Sequence, residues 1–227
     1  MNEFQTALLK SPLILTPTSQ IFTTGEVWRL FTYQFIHANL SHLIVNMLSQ
    51  LFIAAALEIV HGPIRIGIIY TLGVVLGACF HMMIDGTYLV GASGGVYALI
   101  GVLIANYSMN FREMSQLGKI LRGVIIGVLI LGEIGMSIGR MMTSGDNVSW
   151  SAHVGGFLVG MVLGIVILKN FVLTKKEIYI QIASIVTFVF LVVATITTIL
   201  IQNKKYLTND PTSRAIETES EIPIVMY

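Results

Sequence analysis

Apolar residues gather along this chain into six long stretches, at about 40–58, 66–83, 93–107, 120–138, 152–168 and 178–201. A helix that crosses the hydrocarbon core of a bilayer needs about 20 mostly apolar residues. By that measure the second, fourth and sixth stretches predict spanning helices outright. The third is short and rich in glycine, and the first and fifth begin with polar residues. The pattern as a whole predicts an all-α fold, a polytopic transmembrane helical bundle with six spans.

The flanks differ in character. Residues 1–38 mix polar and apolar positions and are expected to form an extramembrane N-terminal segment; residues 39–202 are expected to form the membrane domain. Residues 203–227 are polar and carry Asp210-Pro211 and acidic residues from Glu217 to Glu221, which predicts a disordered C-terminal tail. The first 20 residues show neither a secretory h-region nor the Arg-rich pattern of a mitochondrial transit peptide. A multi-pass protein of the secretory pathway or plasma membrane is therefore expected rather than a mitochondrial one.

Composition agrees with the pattern. Hydrophobic residues make up 55% of the chain and charged residues 11%, against about 25% charge in soluble domains. The mean hydropathy is +0.81. A net charge of +1 gives no electrostatic basis for a nucleic-acid partner. The single cysteine, Cys79, excludes an internal disulfide and reads as a small buried hydrophobe. The first, third and fifth spans run parallel, and the cations Arg65, Arg112, Lys119, Arg122, Lys169, Lys175 and Lys176 fall beyond their far ends. Placing those loops in the cytoplasm gives only a narrow excess over the other side, so the positive-inside rule supports this orientation weakly.

Polar residues placed on this frame form a constellation. His42 and Asn46 lie one turn apart near the start of the first span, Ser93 opens the third in Gly91-Ala92-Ser93-Gly94, and His153 lies at the start of the fifth. At 1.5 Å per residue, Ser93 stands roughly 28 Å above Arg112, His153 roughly 24 Å above Lys169, and His42 roughly 24 Å above Glu58. All four residues then share one level, just below the surface opposite the cation-rich loops. Ionisable groups inside a membrane are costly and face a bundle interior or a water-filled cavity. A serine and a histidine at one depth suit a nucleophile and its general base. The Ser93 N–H at a helix start has no partner within its own helix, and His42 and Asn46 offer side-chain donors for a developing oxyanion. Tyr97, one turn below Ser93, is placed to pack on the His153 ring. Asp85 and Asp146 fall in loops, so a Ser–His dyad is expected rather than a triad. Gly156 and Gly160 read as helix-packing positions against a small face of Gly94, Ala98 and Gly101. Glu133 reads as an interhelical hydrogen bond or neutral carboxyl, and His37 and His81 as loop or boundary residues. No cluster has metal-ligand spacing, and no cofactor is expected.

These motifs resemble the rhomboid intramembrane serine proteases. Gly91-Ala92-Ser93-Gly94 is similar to the family's GxSG motif. His37-Ala38-Asn39-Leu40-Ser41-His42 with Asn46 resembles its HA…H…N signature, Ala152-His153-Val154-Gly155-Gly156…Gly160 its sixth-helix motif, and Trp28-Arg29 the WR pair of its first loop. The stretches 57–70 and 90–100 look most like the animal secretase-type rhomboids, which add a seventh helix where residues 178–201 stand. The resemblance implies hydrolysis of peptide bonds in or beside transmembrane helices of single-span substrate proteins, within the lipid bilayer and without metal or cofactor. It makes Ser93 the nucleophile and His153 the general base. Ser93 N–H, His42 and Asn46 become the oxyanion hole, with Tyr97 supporting the base and Trp28 and Arg29 structural. Nothing from Met1 to Val27 can span, so the six spans align with the family's second to seventh, as in a fragment or a variant lacking the first helix. A non-catalytic rhomboid-like binder of membrane-protein clients is the alternative that shares the fold. A small transporter would need a continuous polar path and typically inverted repeats, and no internal repeat is visible.

Overall fold

The computed structural model describes residues 9–144, 149–169 and 174–208. Among the described residues two short α-helices, α1 (Thr18–Thr24) and α2 (Arg29–Thr32), and a 3-10 turn (Tyr33–Phe35) precede six long helices. These are α3 (Leu40–His61), α4 (Pro63–Ile84), α5 (Ser93–Met109), α6 (Gln116–Ser144), α7 (Trp150–Ile167) and α8 (Lys175–Thr208). Each covers one predicted stretch. Among the described residues α3, α4, α7 and residues 175–202 of α8 are long and apolar enough to cross a membrane, with mean hydropathies of 2.0, 1.9, 1.9 and 2.6. The polar residues at the starts of α3 and α7 therefore do not shorten them. Asn39 caps α3 by accepting the His42 N–H, and Ser149 caps α7 by accepting the Ala152 N–H, which satisfies donors that a helix start leaves open. The last helix runs on to Thr208; Asp146 and the residues beyond Thr208, with the acidic part of the predicted tail, lie outside the described residues.

The centre of the bundle is the trio α4, α5 and α7. Its helices meet backbone to backbone because glycines face the contacts. A Cβ placed on Gly156 would stand 2.1 Å from the Gly94 carbonyl oxygen, and one on Gly160 would stand 1.9 Å from that of Ala98. Gly101 meets the Phe157 carbonyl at 2.4 Å in the same sense, and Gly73 meets Ala98 Cβ at 2.3 Å. In lipid, association rests on packing rather than on water expulsion, so such small faces carry the assembly. Around the trio, α3 packs on α4 and α5, α6 on α5, and α8 on α4 and α7. The outer faces are apolar: Leu40, Leu51, Phe52 and Ile59 on α3, and Val186, Val189 and Phe190 on α8 are exposed. Bundle and surface together are those of a multi-pass membrane protein.

The segment before α3 is stitched to the bundle. Leu15 and Leu89 exchange both backbone hydrogen bonds, at 3.1 and 3.0 Å. Ile14, Leu15, Ile21 and Tyr33 join Val74, Ala78, Met82, Leu89 and Val90 in one buried cluster. The buried Arg29 guanidinium donates to the carbonyls of Ser11 and Ile14 at 2.9 and 2.8 Å, and to the Glu26 carboxylate at 2.9 Å. Trp28 Nε1 donates to the Pro12 carbonyl at 3.1 Å. Trp28 and Arg29 thus hold the fold of this segment and lie away from the serine.

Candidate functional site

Three helix starts converge at one end of the bundle. The loop before α5 turns at Gly91, whose φ of +106° is backbone that favours glycine. Its N–H donates to the Tyr33 carbonyl at 3.1 Å, and a Cβ at this position would stand 2.7 Å from the His42 ring. Glycine is therefore required both by conformation and by the imidazole lying against it. Ser93 follows as the first residue of α5.

Ser93 Oγ and His153 Nε2 are 2.8 Å apart, both residues buried. That is hydrogen-bonding distance for a hydroxyl and an imidazole. The His153 ring is stacked on Tyr97, with centroids 4.1 Å apart and planes at 11°, and Trp150 stands edge-on to it at 6.1 Å. The imidazole is thus fixed in plane by aromatic faces on two helices. His42 and Asn46 are buried on α3, where Asn46 Nδ2 donates to the His42 carbonyl at 2.9 Å. His37 extends this side, its ring edge-on to His42 at 5.1 Å. Burial holds the His37 imidazole below its ordinary pKa, partly offset by a backbone hydrogen bond at Phe35.

Of the residues singled out from sequence, Ser93, His153, Tyr97, His42 and Gly91 thus stand together. Asn46 lies one turn below His42 on α3, and Gly94, Gly156 and Gly160 lie in the α5–α7 contact beneath. Glu133, half-buried on α6, accepts a long hydrogen bond from Ser49 Oγ at 3.4 Å, away from the serine. Asp85 does not meet His153; it bonds the Ser151 hydroxyl and stands 3.2 Å from His81 Nδ1.

His81 stands at a helix boundary, as expected, but is buried there and bonded on both sides of its ring. It lies in the last turn of α4 with no exposed surface. Its Nδ1 is 2.6 Å from Ser149 Oγ and 3.1 Å from Ser151 Oγ, and its Nε2 is 3.1 Å from the Thr87 carbonyl. Only a donor suits a carbonyl, so the Nε2 proton points to Thr87, while Nδ1 faces the hydroxyls of Ser149 and Ser151 and the Asp85 carboxylate. One imidazole therefore ties the loop that leads to Ser93 to the turn that starts the helix of His153. The visible signal was His81 four residues before Asp85 at a helix end, facing Ser149-x-Ser151; apolar periodicity does not reveal it.

A family profile described as the Rhomboid domain matches residues 24–170. The chain is 35% identical over 170 residues to Rhomboid-related protein 2 of Mus musculus, covering 73% of this chain and 55% of that one. It is 40% identical over 156 residues to Rhomboid-related protein 1 of Caenorhabditis elegans, covering 67% and 43%. It is also 32% identical over 161 residues to a Caenorhabditis elegans protein named Inactive rhomboid-related protein 2, covering 70% and 45%. The chain thus spans about half the length of the curated relatives it matches.

Proposed function

The chain belongs to the rhomboid family, and we propose that it is an intramembrane serine endopeptidase that cuts single-span membrane proteins in or near their transmembrane helices. The observation that carries this reading is the 2.8 Å contact between Ser93 Oγ and His153 Nε2 inside a bundle of apolar helices. In the proposed reaction, His153 Nε2 takes the hydroxyl proton as Ser93 Oγ attacks the scissile carbonyl carbon. The charge that develops on the carbonyl oxygen is met by the Ser93 N–H at the start of α5 and by donors of His42 and Asn46. His153 then passes its proton to the leaving amine, and water hydrolyses the acyl-enzyme by the same route in reverse. Tyr97 and Trp150 keep the imidazole in the plane that serves both transfers. The dyad needs neither metal nor cofactor.

A non-catalytic binder of membrane-protein clients remains as a second reading, favoured by the relative named inactive. The two part on one experiment: labelling of the purified chain by a serine-reactive fluorophosphonate, with Ser93→Ala as control. Labelling that depends on Ser93 supports the protease; none in a folded preparation supports the binder.

A further inference from the structure

At the opposite end of the bundle from Ser93, α3 ends at His61 and α7 ends just before Lys169. His61 is 1% exposed, and its Nδ1 accepts the Lys169 backbone N–H at 3.2 Å. An imidazole nitrogen that accepts carries no proton, so the hydrogen of the neutral ring sits on Nε2. Among the described residues that Nε2–H is a buried donor with no acceptor. Buried polar groups are nearly always satisfied, and an exception asks for an explanation.

The surroundings give one. The charged groups that act on the ring are Lys169, Arg65 and Arg122, all cations, drawn from the ends of α7, α4 and α6. Arg65 spends one donor on the His61 carbonyl, at 3.1 Å, and is otherwise exposed, as is Lys169. Such a set of donors and cations matches an acceptor-rich anion. The apolar side chains alongside are uncovered, Ile59 at 87% and Ile64 at 78% exposure, which suits acyl chains attached to that anion better than a free ion.

We propose that His61, Arg65, Lys169 and Arg122 form a site for the phosphate headgroup of an anionic lipid in the leaflet bordering this end of the bundle. The headgroup accepts from His61 Nε2–H and from the three cations, and its chains lie along Ile59 and Ile64. Basic pockets between membrane helices are suited to such headgroups. This site is remote from Ser93 and does not depend on the reaction proposed there.

The test uses the full chain in dodecyl maltoside, with dioleoyl-phosphatidylglycerol, dioleoyl-phosphatidylcholine or inorganic phosphate added. Thermal unfolding and native mass spectrometry are the readouts. Phosphatidylglycerol should raise the unfolding midpoint by several degrees and remain bound, phosphatidylcholine and inorganic phosphate should not. The double variant Arg65→Gln/Lys169→Gln, both exposed positions, should retain phosphatidylglycerol at least about tenfold less. His61→Asn keeps an acceptor near Nδ1 but has no Nε2–H, and should lose part of the shift. Lys10→Gln/Lys204→Gln, with the same charge removed at the other end, should keep it. Equal responses to the two lipids would overturn the proposal. So would a shift that survives in the Arg65/Lys169 variant, or one lost equally in the Lys10/Lys204 control. An equal response to inorganic phosphate would replace the lipid by a small anion.

Discussion

The hydroxyl of Ser93 is a poor nucleophile by itself, and its reactivity in the proposed reaction depends on the imidazole 2.8 Å away. Ser93→Ala should abolish cleavage of a single-span substrate in proteoliposomes while leaving the unfolding midpoint close to that of the parent. His153→Ala should be as inactive, and the double variant no worse than either single one, since groups that act as a unit are not additive. A residual rate that differs widely among the three would separate the residues. Asn46→Ala should be milder than either. Loss of one oxyanion donor typically costs roughly 100- to 1,000-fold in rate, and the Ser93 N–H and His42 would remain. Turnover equal to the parent's would make Asn46 a packing residue, held by its bond to the His42 carbonyl. These side chains were legible in the sequence because each stands at a helix start, and counting residues along parallel helices places them at one depth. Trp150, three residues before His153 on the same helix, and His37 in the loop before α3 were not assigned to the site, since spacing alone does not say which way their rings turn.

At the scale of the helices, the α5–α7 contact leaves no room for side chains. Gly156→Val and Gly160→Val would force atoms into the carbonyls of Gly94 and Ala98, already about 2 Å from an ideal Cβ. Overpacking of this kind costs typically 1–3 kcal/mol or more, and the helix that moves carries His153. Detergent stability and cleavage should fall together; a stable but inactive protein would mean that these glycines serve the path of the substrate instead. His81 makes a comparable link by hydrogen bonds. His81→Leu fills similar volume but strands Ser149 and the Thr87 carbonyl, so a drop in the unfolding midpoint of several degrees is expected, with lower kcat and little change in KM. An unchanged midpoint would show that the bonds from α4 to α7 carry no stability. The six apolar stretches announced these helices, and the small residues announced the close pair. The start of α3 reads from the sequence at Leu40, where the structure has it, and that of α7 two residues late, at Ala152 rather than Trp150; capping by Asn39 and Ser149 turns a polar interruption into a start.

Across the whole molecule, the N-terminal segment is coupled to the site through the backbone. Arg29 holds Ser11 and Ile14, Leu15 pairs with Leu89, and two residues later the chain reaches Gly91 and the turn to Ser93. None of this was readable from hydrophobic pattern, because the contacts are made by carbonyl oxygens. Arg29→Ala would leave two largely buried carbonyls without a donor, a loss of roughly 1–3 kcal/mol each. Arg29→Lys should recover little, since an ammonium on a flexible stem does not reproduce the fork that reaches Glu26, Ser11 and Ile14 together. The same clamp gives a pH dependence. The hydrogen bond from Arg29 holds the Glu26 carboxyl below its ordinary pKa, so the folded state binds this proton less readily than the unfolded one. Its stabilisation is present above the ordinary carboxylate range and is lost as the pH falls through the depressed folded value. Glu26 is partly exposed and lies at the surface, so the effect is small and screened by salt. Unfolding midpoints measured from neutral pH down through the carboxylate range should therefore fall slightly less steeply in Glu26→Gln than in the parent, and raised salt should narrow the gap. A steeper acid loss in the variant would mean that Glu26 does not depend on Arg29 for its charge.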